Sequence, residues 1–108
     1  MELHEELRQK TIDLDNCIRS LRKNGTLYAE AERDYKILLR QECLKLRDDG
    51  MPVGMVDKIC YGIPSVADAR FKRDVCKTIY TANLEAINSI KLQMRLIEGQ
   101  IQREWGNS

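Results

Sequence analysis

Basic and aromatic side chains cluster where a long predicted helix begins. They recur at spacings of three and four over residues 70–80, which places them on one face of that helix, and two more precede it. The cluster consists of Arg70, Arg73, Lys77 and Tyr80, together with Lys58 and Tyr61. Arginine forks bind phosphate through paired hydrogen bonds, and a tyrosine ring can stack on a base. The pattern therefore predicts a site for a small anionic, nucleotide-like ligand near a helix N-terminus, where negative charge is favoured.

The same cluster permits two other interpretations. Its cations can form a solvated face that pairs with acids of another helix, such as Asp48 and Asp49. Residues 53–73 also have the outline of a helix-turn-helix. That alignment places Asp57 and Asp68 where buried apolar residues belong, so DNA reading is the less favoured hypothesis.

The sequence contains no recognised catalytic motif. A glycine-rich phosphate loop, a G-x-S-x-G elbow and an H-E-x-x-H pair are all missing. His4 is the single histidine. Many carboxylates instead occur three or four residues from a basic residue, as Glu32 does from Lys36, so that the two would be neighbours on a helix. We expect a protein that is not an enzyme and that uses neither a cofactor nor a metal.

The four cysteines, Cys17, Cys43, Cys60 and Cys76, include no C-x-x-C pair and no metal-type spacing. We interpret them as reduced structural thiols, with a redox or metal role as the less favoured alternative.

The balance of 18 basic and 17 acidic residues gives a net charge of +1, so no bulk field attracts nucleic acid or a membrane. No apolar run approaches the roughly 20 residues of a membrane span, and the polar start MELHEELRQK is unlike a signal peptide. We expect a cytoplasmic protein.

The last third of the chain, residues 65–105, has the pattern of one long helix. Its apolar stripe consists of Tyr80, Leu84, Ile87, Ile90, Met94, Ile97 and Ile101. At 1.5 Å per residue such a helix is about 60 Å long, so it needs an equally long partner to cover the stripe. Charged residues make up 32% of the sequence and aromatic residues 6%, which is typical of long exposed helices.

The partner is predicted at residues 2–48. The dipeptide Asn24-Gly25 is typical of a turn. The apolar residues nevertheless keep their spacing of three and four from Leu21 to Tyr28, as they do within one helix. We therefore favour one helix, continuous or kinked at Gly25, over two helices. Gly50 is well placed for a C-terminal cap, and Pro52 cannot continue the helix.

A connector of about 16 residues follows, with a short helix over residues 53–61. Ser65 and Asp68 are a plausible capping pair for the last helix. The predicted fold is a single all-α domain over residues 1–108. It is an antiparallel hairpin of two long helices with a short capping helix between them.

The stripe of the last helix is too broad for one partner, because Ala82, Ala86, Leu92 and Leu96 flank it. The sequence therefore predicts a homo-oligomer in which hairpins pair into helical bundles, as coiled coils do.

Several short segments resemble a family of small, uncharacterised helical proteins of phages and prophages of Gram-positive bacteria. They are LRKNG at 21–25, YAEAE at 28–32, RFKRDV at 70–75, EAIN at 85–88 and QIQREW at 100–105. Such proteins are often encoded near replication and recombination genes. The resemblance implies a phage origin and a role in the host cytoplasm, where early phage proteins block host components or sequester signalling molecules of host defence.

Three functions remain open from the sequence. The first is a non-catalytic oligomer that binds or sequesters a nucleotide-like anion. The second is a nucleic-acid accessory protein in phage recombination or replication. The third is a protein–protein adaptor that blocks a host component through its helix surfaces.

Overall fold

The chain folds into three α-helices in the computed structural model, which describes residues 2–106. They are α1 (Leu3–Asp48), α2 (Val53–Cys60) and α3 (Pro64–Gly106). No strand occurs in these residues. The two long helices pack against each other with α2 between them in sequence, so the predicted all-α hairpin with a short connecting helix is confirmed.

The hairpin consists of two compact units. One comprises Met1–Asn24 and Tyr80–Ser108, and the other comprises Gly25–Ile79. We refer to them as the terminal unit and the connector unit. Each contains a stretch of α1 and a stretch of α3, and the connector unit also contains α2.

The core of the connector unit combines side chains from all three helices. Ala31 and Tyr35 of α1, Val56 and Cys60 of α2, and Val66 of α3 are buried. Val56 and Cys60 stand four residues apart and therefore lie on the same face of α2. This face packs the short helix onto the long ones, while its opposite side stays exposed.

Helix α1 ends in a Schellman motif, which requires the glycine at position 50. Gly50 has φ 92°, a left-handed conformation that side chains with a Cβ rarely adopt. Its N–H donates to the Arg47 carbonyl at 3.0 Å, and the Met51 N–H donates to the Leu46 carbonyl at 3.1 Å. These two bonds satisfy carbonyls that the end of the helix would otherwise leave unpaired. The predicted C-terminal cap at Gly50 is thus confirmed.

Pro64, and not Ser65, is the first residue of α3. Proline suits this position because the first turn of a helix needs no N–H donor from it and because its φ is already helical. The first bond of the helix runs from the Ala67 N–H to the Ile63 carbonyl at 2.9 Å.

In the terminal unit, the side chains of α3 that are shielded from solvent alternate at spacings of three and four. They are Tyr80, Asn83, Ile87, Ile90, Met94, Ile97 and Ile101. The predicted stripe contained Leu84 in place of Asn83, and at this position the prediction is wrong: Leu84 is 38% exposed, whereas Asn83 is half-buried. Asn83 keeps the 3–4 alternation of a coiled-coil seam, and a hydrogen-bonding partner makes its burial acceptable.

That partner is Asn24. The Asn24 amide donates to Asn83 Oδ1 at 2.8 Å, and the Asn83 amide donates to the Cys17 carbonyl at 3.0 Å. Asn24 is therefore a seam residue and not a turn residue, and α1 continues through Gly25 as the phase of its stripe predicts.

We expect Asn83→Leu to lower the free energy of unfolding by about 1–3 kcal/mol, because the half-buried amide of Asn24 loses its acceptor. The double variant Asn24→Leu/Asn83→Leu should recover much of this loss, since it removes both polar groups. Urea denaturation followed by circular dichroism measures both effects. Asn88→Leu is the matched control, because Asn88 is exposed on the same helix. A single Asn83 variant as stable as the unchanged protein would contradict the role of the pair.

Candidate functional site

Arg73 lies at the centre of a polar cluster in the connector unit, where α3 packs against α1. Its Nη1 is 3.5 Å from Glu32 Oε2, and its Nε donates to Asp74 Oδ1 at 2.8 Å. The guanidinium carbon lies 4.7 Å from the centre of the Tyr35 ring, a cation–π distance. Only 21% of the Arg73 side chain is exposed. The guanidinium group of Arg73 thus contacts three residues of its own chain, Glu32, Asp74 and Tyr35.

The charges around Arg73 favour its protonated form. Burial acts against the charge, but the hydrogen bond to Asp74 and the charges of Asp74 and Glu32 outweigh it, so the pKa of Arg73 is raised. Glu32 also accepts an ion pair from Lys36 at 3.3 Å, at the i, i+4 spacing expected from the sequence. Two cations therefore share the Glu32 carboxylate. An acid of the first helix does pair with the cluster, but it is Glu32 and not Asp48 or Asp49.

Arg70 has a more open environment. Its guanidinium carbon lies 6.0 Å from the centre of the Tyr61 ring, at the outer limit of a cation–π contact. Both residues are exposed. Arg70 and Tyr61 therefore lie close together on a surface that is exposed to solvent.

The remaining residues of the predicted site are spread over α2 and α3. Lys58 lies exposed on α2, and Lys77 lies exposed on α3. Within residues 2–106 neither lysine has an ion-pair partner. Tyr80 is half-buried on α3. The fold thus divides the predicted cluster into an arginine engaged in packing, Arg73, and exposed groups around Arg70 and Tyr61.

The connector unit also contains a pair of neighbouring thiols, those of Cys43 and Cys60. Their sulfur atoms are 2.9 Å apart, and Cys60 Sγ also donates to the Leu39 carbonyl at 3.7 Å. Burial, followed by the hydrogen bond with Cys43, raises the pKa of the Cys60 thiol to about 11. Sequence reasoning did not find this pair, because 17 residues separate the two cysteines and no motif connects them. The sequence signals were that Cys43 lies on or beside the apolar stripe of the first helix and that Cys60 lies near that of the short helix.

No family model matches the chain, and no curated protein or solved structure matches it either. Among residues 2–106, no group of three or more His, Cys, Asp and Glu side chains is arranged to hold a metal ion. None of the helices in this described part combines the length and the apolar composition that a bilayer span needs. Function is therefore inferred from the contacts of the side chains and from the surfaces that they leave exposed.

We expect Arg73→Met to destabilise the fold by about 1–2 kcal/mol, because it leaves Glu32 with one cation fewer and removes the contact with Tyr35. Arg70→Met is the matched control on the same helix and should change the free energy of unfolding by less than about 0.5 kcal/mol. Urea denaturation of both variants tests the difference. Equal effects at the two positions would show that Arg73 has no special structural role.

Proposed function

We propose that the chain is a non-catalytic interaction protein whose outer helix faces bind protein, beginning with a second copy of itself. The observation that carries the proposal is the excess of exposed over buried apolar side chains. Six hydrophobic residues are buried, whereas sixteen large apolar side chains within residues 2–106 are more than a third exposed. Isolated exposed apolar residues are normal, but exposed apolar residues that form a contiguous face are typical of interaction surfaces.

The total exposed area supports the same proposal. The chain exposes 8005 Å². A compact monomer of 12.6 kDa exposes about 6,200 Å². The excess of roughly 1,800 Å² is within the range that one subunit buries in an obligate homodimer. A hairpin that pairs with a second hairpin would bring the exposed area close to the ordinary value.

In the connector unit, the exposed apolar side chains of α3 lie on one face. Phe71, Val75 and Ile79 are spaced by four residues, and Phe71 is 70% exposed. Arg73 and Cys76 lie between them in sequence and are half-buried, on the side that packs against α1. Helix α3 thus has an inner face within the fold and an outer apolar face in this unit, which we call the Phe71 face.

The contacts of Arg73 argue against placing an anion at the centre of the predicted site. A phosphate would have to compete with the carboxylates of Glu32 and Asp74, and its negative charge would be repelled by both. Protein binding at the Phe71 face requires no such rearrangement. This difference favours the adaptor function over the ligand-binding function.

A nucleotide-like anion at Arg70 and Lys77 is the second candidate. The exposed guanidinium of Arg70 beside the Tyr61 ring supports it, because an arginine and an aromatic ring can together hold a phosphate and a base. In this candidate Lys58 supplies a further cation. The phage origin, and with it a host protein or a host signalling molecule as the partner, stays a prediction from the resemblance.

We expect the unchanged protein to self-associate at micromolar concentration. Phe71→Asp/Ile79→Asp should weaken self-association at least 100-fold, because the interface would have to bury two carboxylates. Analytical ultracentrifugation measures this, with circular dichroism to check that the helices remain. Thr81→Asp/Asn88→Asp is the matched control, since it adds the same charge at exposed polar positions of α3. A monomeric unchanged protein would refute self-association.

The second candidate predicts that ATP raises the melting temperature, because a ligand that binds only the folded chain stabilises it. Arg70→Ala should abolish the increase, while Arg103→Ala, which also changes an exposed arginine of α3, should preserve it. Inorganic phosphate and a single-stranded oligonucleotide are measured in parallel. Salt-dependent binding of the oligonucleotide alone would point to the nucleic-acid function. No shift with any of the three would exclude an anion site at Arg70.

A further inference from the structure

Cys43 and Cys60 are the two cysteines whose sulfur atoms are in contact within residues 2–106. Cys43 lies near the end of α1 and is half-buried, and Cys60 is the last residue of α2 and is fully buried. Their separation of 2.9 Å has to decrease by about 0.9 Å to reach the length of a disulfide bond. For Cys17 and Cys76, the described part of the chain shows no sulfur neighbour of this kind.

We propose that Cys43 and Cys60 form a dithiol–disulfide site, which a small disulfide oxidant such as oxidised glutathione converts into an intrachain disulfide between α1 and α2. The site does not depend on the proposed protein-binding function. It uses atoms in the interior of the connector unit and not the Phe71 face.

The reaction proceeds in two exchange steps. The thiolate of Cys43, the more exposed sulfur, attacks one sulfur of oxidised glutathione and releases one glutathione thiolate. The Cys60 thiol then loses its proton and attacks Cys43 Sγ, which releases the second glutathione. Overall, two protein thiols are oxidised to one disulfide, and one glutathione disulfide is reduced to two glutathione thiols, with protons conserved.

The environment of Cys60 sets the resting state of the pair. Because burial and the hydrogen bond with Cys43 raise the pKa of Cys60 to about 11, this sulfur is almost entirely a thiol at neutral pH. The second step therefore has to remove a tightly held proton. At neutral pH the second exchange step is therefore slow.

A disulfide at this site would attach α2 covalently to α1. The eight-residue helix α2 is otherwise held by its buried residues Val56 and Cys60. The new bond closes the chain between residues 43 and 60, so the unfolded state has fewer conformations and the fold gains stability. The exposed apolar residues of α2, Val53, Met55 and Ile59, would be fixed in place with it.

The test uses the full chain in buffers with increasing ratios of oxidised to reduced glutathione. After acid quenching, intact mass spectrometry should show a loss of about 2 Da, the two thiol hydrogens, without bound glutathione. Trypsin cleaves after lysine and arginine, so the four cysteines fall in four different peptides. The peptides that contain Cys43 and Cys60 should be linked, while Cys17 and Cys76 remain free to react with iodoacetamide. The oxidised protein should also melt at a higher temperature than the reduced protein.

Two serine variants distinguish the proposed site from general oxidation. Cys43→Ser should no longer lose two hydrogens, whereas the matched control Cys17→Ser should still lose them. Thermal melting shows whether each variant is folded. The proposal is overturned if the oxidised chain links any other pair of cysteines, if it forms only disulfides between chains, or if glutathione stays bound to Cys43. It is equally overturned if no disulfide forms at the most oxidising ratio.

Discussion

Half-buried polar side chains of the two long helices bond to each other, and these contacts constrain how the helices align. In the terminal unit the Asn24 side-chain N–H donates to Asn83 Oδ1. The side-chain N–H of Asn83 in turn donates to the Cys17 carbonyl. If the contact were purely apolar, one long helix could shift along the other by seven residues at little cost, because successive layers of aliphatic side chains are alike. A shifted register would leave these amides unpaired, at a cost of about 1–3 kcal/mol for each group. In the connector unit the pair of Arg73 and Glu32 imposes the same kind of constraint.

A two-helix hairpin leaves most of each helix surface uncovered, and this limit connects the fold to the proposed function. Each long helix covers one face of the other, and α2 adds cover only through Val56 and Cys60. Within residues 2–106 only six hydrophobic residues are buried, five in the connector unit and one, Ile87, in the terminal unit. The apolar side chains on the outside can be shielded from water only by another molecule. This shortage of buried core supports the proposed self-association.

The features that could be predicted from the sequence are those that depend on local spacing. The three helices, the cap at Gly50 and the passage of α1 through Gly25 follow from apolar periodicity and turn chemistry. The prediction of Leu84 instead of Asn83 was wrong because it relied on the hydrophobicity of each residue. Burial between the helices depends on the 3–4 alternation, which Asn83 keeps and Leu84 does not. The contact of Arg73 with Glu32 and that of Cys43 with Cys60 depend on which residues of separate helices face each other. Periodicity along one helix contains no information about that register.

The division of α3 into faces determines how the two candidate functions can be separated. Arg70 and Lys77 are seven residues apart and share one face, while Phe71, Val75 and Ile79 share another. Arg73, which sequence reasoning placed with the first set, contacts Glu32 and Asp74 instead. Because the exposed cations and the exposed apolar residues occupy different faces, a substitution in one set leaves the other intact. The two candidate functions, protein binding and anion binding, can therefore be tested separately by substitutions on the same helix.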